Sequence, residues 1–342
     1  MTPFSSSMVR IGSTWPAELL PLFERAVTVE HASLTRAGAP VTYPLTPYVG
    51  ASSLDVSTGL TYPAKAERAR RNPKVALLYS DGVGSGLENP PIALVQGLAT
   101  VRDADVQANT DRYVRLTMAK LPAAYAGTPR FMLRSLAWYF ARIWIEVTPT
   151  RILWWPGGRL DEPPRQWVAP AGTAAPPSDP APPGGQPGAW SQHPVDWHRA
   201  AELTVRELSM RDLTFVGPDG FPVCVPVQGI RRRPEGFQLR VPRVPGFSPA
   251  GPACLTFHTH DATFTAQRNR VFVGHIPDTD DDPTVRLDVR RVLGSWSVPG
   301  NKLGATVDLI RKGRMLRPRL HAECARRGRP VPRIRLPGEH RP

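Results

Sequence analysis

The chain has 342 residues, with 41% hydrophobic and 21% charged side chains, which is enough apolar material for a sizeable core and excludes wholesale disorder. Its 40 prolines and 28 glycines argue against a helix bundle and for strands joined by many turns. The net charge is +14, but residues 311–342 hold eleven Lys/Arg against Glu323 and Glu339, leaving only +5 for the rest.

In chain order, Pro16–Arg25 reads as a short amphipathic helix and Ala26–Thr35 as a strand, followed by a turn at Arg36–Ala39. Val41–Tyr48 and Ser53–Ser57 are strand-like. Pro63–Arg71 reads as a helix with a charged outer face carrying Lys65, stopped by Asn72-Pro73. Val75–Tyr79 and Ile92–Val101 are strands. A helical stretch capped by Asp103 or Asp105 runs to about Phe140, broken at Pro122 and Pro129, and Ala141–Trp155 returns as a long strand. About six strands with short antiparallel links favour a small β-barrel with flanking helices.

Residues 163–194 hold ten prolines and four glycines and read as a semi-rigid linker or long surface loop. The division expected is therefore a first unit at 16–160, a connecting segment at 161–195, a second unit at 196–310 and a basic tail at 311–342. Three matches recur in the same order in the two units. Gly38-Ala-Pro40-Val41 parallels Gly220-Phe-Pro222-Val223 at an offset of 182, residues 72–81 parallel 252–261, and Val95-Gln-Gly97 parallels Phe272-Val-Gly274. They indicate an internal duplication.

The basic segment is read as a solvated tail, or one that folds over the chain's own acidic surface. Nucleic acid is not the expected partner, because no aromatic residues interleave the arginines. No run of 18 apolar residues suggests a membrane span, and the N-terminus lacks the apolar core of a signal peptide. Cys224, Cys254 and Cys324 match no zinc or disulfide spacing, which points to a reducing cytoplasm. His258 and His260 alternate on one strand and, with His275, could bind a metal or haem; no carboxylate stands at ligand spacing in sequence, so no metal is expected. The acidic run Asp278–Asp282 lacks the glycine and distal glutamate of a calcium loop.

Taken together, the run SLTRAGAPVTYPLTPYV, LDVST, Lys65, Arg71-Asn72-Pro73-Lys74-Val75 and Val95-Gln-Gly97 resembles the flavin-binding split β-barrel superfamily, which includes pyridoxamine 5′-phosphate oxidase and the F420-dependent reductases. The likeness covers residues 20–155 well and the remainder weakly. It implies a mainly β fold with helices: two tandem antiparallel split β-barrels with flanking helices, the second degenerate. It also implies an FMN cofactor, or F420 in its place. Tyr43, Pro44, Leu45 and Thr46 would wall the flat ring, and Ser57, Thr58 and Lys65 would hold the phosphate. The arginine and lysine by which the oxidases grip the flavin are replaced by Tyr43 and Tyr48, which argues against vitamin B6 as substrate.

The second unit has no Ser-Thr pair, helix or lysine between its strands near 241 and 252, so one cofactor site per chain is expected. That unit would stand in for the second subunit of a homodimer, as an intrachain pseudo-dimer; further pairing of chains stays open. The activity implied is hydride transfer to or from a small conjugated organic substrate, with no catalytic side chain required. The alternative is a non-catalytic flavin- or haem-binding protein of the same fold. Removal of residues from 311 onward is expected to spare the site.

Overall fold

The structure, a computed structural model, describes residues 15–184, 195–277, 284–294, 297–298, 300 and 302–338. The acidic run at 278–282 and residues 185–194 of the proline-rich segment lie outside them.

The first unit opens with a 3-10 turn leading into α1 (Leu20–Arg25). It continues through β1 (Val29–Leu34), β2 (Pro40–Leu45), β3 (Pro47–Val49), β4 (Leu54–Gly59), α2 (Ala64–Arg71), β5 (Lys74–Tyr79) and β6 (Ile92–Arg102). Then come α3 (Val106–Lys120), the short helices α4 (Pro122–Tyr125), α5 (Arg130–Arg134) and α6 (Ala137–Phe140), and the strands β7 (Arg142–Trp155) and β8 (Arg165–Val168). Asp105 caps α3 by accepting a hydrogen bond from Ala108 N. The two prolines expected to break this stretch do so, at the starts of α4 and α5.

The second unit comprises α7 (Trp197–Glu207), β9 (Met210–Val216), β10 (Pro222–Pro226), β11 (Gly229–Arg233), β12 (Gly236–Arg240), β13 (Gly251–His260), β14 (Gln267–Ile276), β15 (Val285–Val292) and β16 (Ser297–Val298). α8 (Lys302–Arg326) follows.

The main strand path of the first sheet is β2-β1-β5-β6-β7-β4-β3, and that of the second is β10-β9-β13-β14-β15-β12-β11. The two orders are the same, strand for strand, and every pairing is antiparallel. The chain is thus two tandem split β-barrels. Two of the sequence matches mark equivalent devices. Gly38 and Gly220 both take φ +77°, the left-handed turn that glycine adopts without strain. Gly97 and Gly274 both sit at a β-bulge, where an added Cβ would meet the Thr148 carbonyl oxygen at 2.5 Å and the Asp288 carbonyl oxygen at 2.0 Å.

The middle match is displaced. Ala32 lies opposite Ala76 and its counterpart Thr214 lies opposite Cys254, so residue 76 corresponds to 254 and not to 256. Asp81 and Asp261 are therefore not equivalent, because alternation and composition alone leave a two-residue slip with the same inward face.

One core fills the first barrel around Phe23, Val56, Leu77, Val95 and Trp144. The other fills the second barrel around Phe237, Phe257 and Phe272, and is continuous with Ala32, Ala76, Leu78, Leu94, Leu153 and Trp155 on the outer face of the first. The barrels are joined by this shared apolar layer, as an intrachain pseudo-dimer.

The basic C-terminal segment is not a solvated tail. Leu316, Leu320 and Cys324 of α8, and Ile334 and Leu336 beyond it, are buried in the core of the first barrel. Arg327 pairs with Asp103 at 3.1 Å and with Glu323, and Arg335 pairs with Asp111 at 2.9 Å. The apolar residues spaced along α8 drive this packing, and their signal is diluted in sequence by the arginines between them. The described part of the proline-rich segment also lies on the first barrel. Its β8 pairs with β7, and Asp179 accepts hydrogen bonds from the Asp103 and Ala104 amides at 2.8 Å. No described helix is long and apolar enough to cross a membrane.

Candidate cofactor site

The site is built where β4 ends and α2 begins. β4 runs antiparallel to β7, with Ser57 opposite Trp144, Thr58 opposite Ile143 and Gly59 opposite Arg142. The chain then turns: Tyr62 N donates to Gly59 O at 2.8 Å, and Thr58 Oγ1 donates to Tyr62 O at 3.0 Å. Pro63 precedes the first turn of α2, whose leading amides have no helical partner. The Ser57 hydroxyl has no hydrogen-bond partner among the described residues, although the residue is buried. The Thr58 proton is already committed to Tyr62, so the expected second hydroxyl donor is replaced by an acceptor that closes the turn.

Lys65 does not sit on an outward face. It is half-buried, and its Nζ lies over the Tyr43 ring, 4.5 Å from the centroid. Burial, followed by the nearby charges of Arg68 and Arg142, brings its ammonium down to about 7. Arg68 Nε donates to Ser33 Oγ at 3.1 Å. Arg142 runs alongside Gly59, with Nη1 3.5 Å from the position of an added Cβ. It stacks on Tyr113 and Tyr139 at 4.0 and 4.8 Å and donates from Nη2 to the Tyr113 hydroxyl at 2.9 Å. Its Nε is buried and has no partner.

None of these three cations has a carboxylate within ion-pair distance among the described residues. The contrast with their neighbours is clear: Arg70 pairs with Asp103, Arg102 with Glu146 and Asp179, Arg112 with Asp55 and Arg151 with Asp219. Gathering half-buried cations without a counter-charge costs free energy that an incoming anion would recover. Ser57, the amides at the start of α2, Lys65 and Arg142 are the donors a phosphate needs.

The wall expected to flank a ring lies on β2. Tyr43, Pro44, Leu45 and Thr46 are all half-buried, and Tyr43 lies opposite His31 in the β1–β2 register. β2 also faces the second barrel, where Thr42 Oγ1 and Thr214 Oγ1 share a hydrogen bond of 2.7 Å. His31 is fully buried with both ring nitrogens unpartnered. Burial and then Arg68 and Lys65 hold it down to about 3, so it is neutral.

Arg68, Arg142 and His31 were not evident as site residues in sequence. Arginine is common throughout the chain, and His31 stands singly in a strand. Register alone, through Gly59–Arg142 and His31–Tyr43, reveals them. In the second barrel, residues 241–250 join β12 to β13 with a single bridge, Val244 to Phe247, and no helix. His258 and His260 face the first barrel's Glu30 and Asp81, while His275 lies opposite Pro252 on β14 and does not join them.

No protein-family model matches the chain, and no curated protein is similar to it in sequence. Among solved structures it is similar to a putative pyridoxamine 5′-phosphate oxidase from Listeria innocua, at 18% identity and a TM-score of 0.28, covering 40% of this chain and 93% of that one. An F420 reductase aligns at 22% identity and a TM-score of 0.29, covering 38% and 92%. A pyridoxamine 5′-phosphate oxidase-related, FMN-binding protein from Nostoc punctiforme aligns at 16% identity and a TM-score of 0.30, covering 44% and 86%. The fold assignment rests on the strand order described above.

Proposed function

We propose that the chain binds one flavin-type cofactor, FMN or the deazaflavin F420, and acts as an oxidoreductase on a small conjugated organic substrate. The observation that carries this reading is the set of Lys65, Arg68 and Arg142 at the β4–α2 corner, without carboxylate partners and beside the free Ser57 hydroxyl. Lys65 and Arg142 would take the phosphate charge, Ser57 would donate to it, and residues 43–46 would flank the ring. Bound there, the cofactor supplies the hydride chemistry; the chain binds it, orients it and keeps water from one side. The absence of a Ser-Thr pair, helix and lysine at 241–250 supports one site per chain. Three free, buried cysteines suit a reducing cytoplasmic setting.

The test is the absorbance and mass of the small molecule that co-purifies with the full chain, with its equivalents per chain. About one equivalent of FMN or F420 is expected. Two equivalents would remove the argument that the second barrel lacks a site, and failure of the folded protein to bind either cofactor would remove the reading itself.

A further inference from the structure

The face where the barrels meet carries a group of ionisable side chains that the cofactor site does not use. Glu30 comes from β1 of the first barrel, and Asp212 and His258 come from β9 and β13 of the second. By the internal repeat, Glu30 and Asp212 are counterparts, so the two carboxylates meet on the pseudo-two-fold relation of the halves. All three side chains are essentially without solvent exposure.

His258 Nε2 lies 2.7 Å from Glu30 Oε1 and 3.7 Å from Asp212 Oδ2. The close approach to Glu30 is of ion-pair length, but its direction is poor, and among the described residues Nε2, Oε1 and Oδ2 make no well-directed hydrogen bond. Three buried donor atoms within 4.8 Å of one another, from three strands, therefore face a common point.

We propose that Glu30, Asp212 and His258 bind a divalent first-row transition ion, of which zinc is the representative, and that this ion clamps the two barrels together.

The donor chemistry fits. One imidazole nitrogen and two carboxylate oxygens suit zinc and its neighbours, whereas calcium and magnesium take oxygen ligands. Charge fits as well: two carboxylates and a neutral imidazole balance a dication, which matters in a buried site. Opening the three atoms to ligand separations requires shifts of roughly half an ångström for the shortest contact, given metal–ligand lengths of about 2.0–2.2 Å.

The surroundings resemble an outer shell. Ser80 Oγ lies 2.9 Å from Glu30 Oε2 and 3.2 Å from Asp212 Oδ1 and gives its single proton to one of these two oxygens at a time. Asp81 Oδ2 lies 4.0 Å from His258 Nδ1, on the side of the ring that a ligating histidine turns to a carboxylate, and is held at 3.0 Å by His260 Nε2. Three protein ligands would leave the fourth position of a tetrahedral ion to a water or to the second oxygen of one carboxylate, with the protein closed around the other sides. This set does not depend on the cofactor site: Glu30 and His31 are neighbours on β1, and successive side chains of a strand point to opposite faces.

The experiment is to produce the full chain in medium supplemented with cobalt, which reports its own coordination by absorbance. Elemental analysis should give about one cobalt per folded chain, with the intense visible bands of a low-coordinate nitrogen and oxygen site. Glu30→Gln and His258→Gln should each lose the ion at least tenfold, while His260→Gln should retain it. Folded wild type with negligible metal, a weak octahedral spectrum or equal uptake by the Glu30 and His258 variants would overturn the proposal. In each of those cases a proton on His258 would suffice to hold the two carboxylates. The wild-type spectrum decides the matter even if a variant fails to fold.

Discussion

Thr42 and Thr214 touch hydroxyl to hydroxyl across the barrel interface, but their counterparts in the repeat are Cys224 and Ala32, which cannot make the same bond. The two halves, alike in strand order, have thus become different at the surface that joins them. In a symmetric pair of barrels this bond would occur twice.

The bond predicts a strongly non-additive pair. Thr42→Val removes a partner from the Thr214 hydroxyl, which keeps only the weak acceptor Cys224 Sγ at 3.1 Å, and should cost about 1 kcal/mol. Thr214→Val should cost about the same. The double substitution removes both polar groups and should cost less than the sum, as read from denaturant midpoints in a double-mutant cycle. Simple additivity would show that the two hydroxyls do not depend on each other.

Lys65→Ala should weaken cofactor binding by about 10- to 150-fold, the worth of a charge-assisted contact of about 1.5–3 kcal/mol. Lys74, just beyond α2, donates to Asp219 O at 2.7 Å and serves as the control. Equal losses at both positions would reduce the effect to diffuse surface charge.

The depressed ammonium also has a pH signature. Above about pH 7 the free protein carries a growing fraction of neutral Lys65, so affinity for the anion should fall as pH rises through that value. In Lys65→Arg the charge persists and the decline should flatten. Titrations of binding at several pH values decide this; a parallel decline in both proteins would place the titrating group elsewhere.

His31 gives a stability prediction with a definite sign. Its folded-state value of about 3 lies below the ordinary 6.5, so the unfolded chain binds the proton first. Its contribution is complete above pH 6.5 and is lost as pH falls toward 3, with a slope approaching 1.4 kcal/mol per pH unit. Asp55 works the other way. Burial raises it to about 6, so its share of stability grows as pH falls through that value. The difference in unfolding free energy between wild type and His31→Gln across that range isolates the histidine. A flat difference would mean that the imidazole is protonated in place.

Leu320→Ala should destabilise the protein by about 2–5 kcal/mol, because it empties a packed position of the first core. Deleting residues 311–342 should expose that core and prevent the first barrel from folding, as judged by circular dichroism and dye binding. This reverses the expectation that removing the segment would spare the cofactor site, which was drawn from the matched motif lying wholly upstream of it. A folded, cofactor-binding truncated protein would return it to the role of a tail.

Most strands of the first unit and the β4–α2 corner were legible in sequence because alternation, glycine turns and Pro63 act locally, whereas β8 lay hidden among prolines and the order of strands within each sheet came only from their pairing. Lys65 was legible as a position but not as an environment: an i, i+3 pattern of charges on α2 looks outward until Tyr43 is brought beneath it by the β1–β2 hairpin. Arg142 was illegible for a different reason. Nothing within β7 distinguishes it from other arginines, and its meaning comes from lying opposite Gly59. The carboxylates facing His258 and His260 were missed because Glu30 and Asp81 stand in the other half of the chain. Ligand spacing in sequence says nothing about side chains that meet only when two barrels close on each other.

Joining the barrels in one polypeptide has a consequence for dilution. Two separate subunits lose their shared cleft as they are diluted below their dissociation constant, whereas a covalent pair closes by a first-order step. A ligand held against β2, which faces the second barrel, should thus keep its affinity unchanged from micromolar to trace concentrations of the protein.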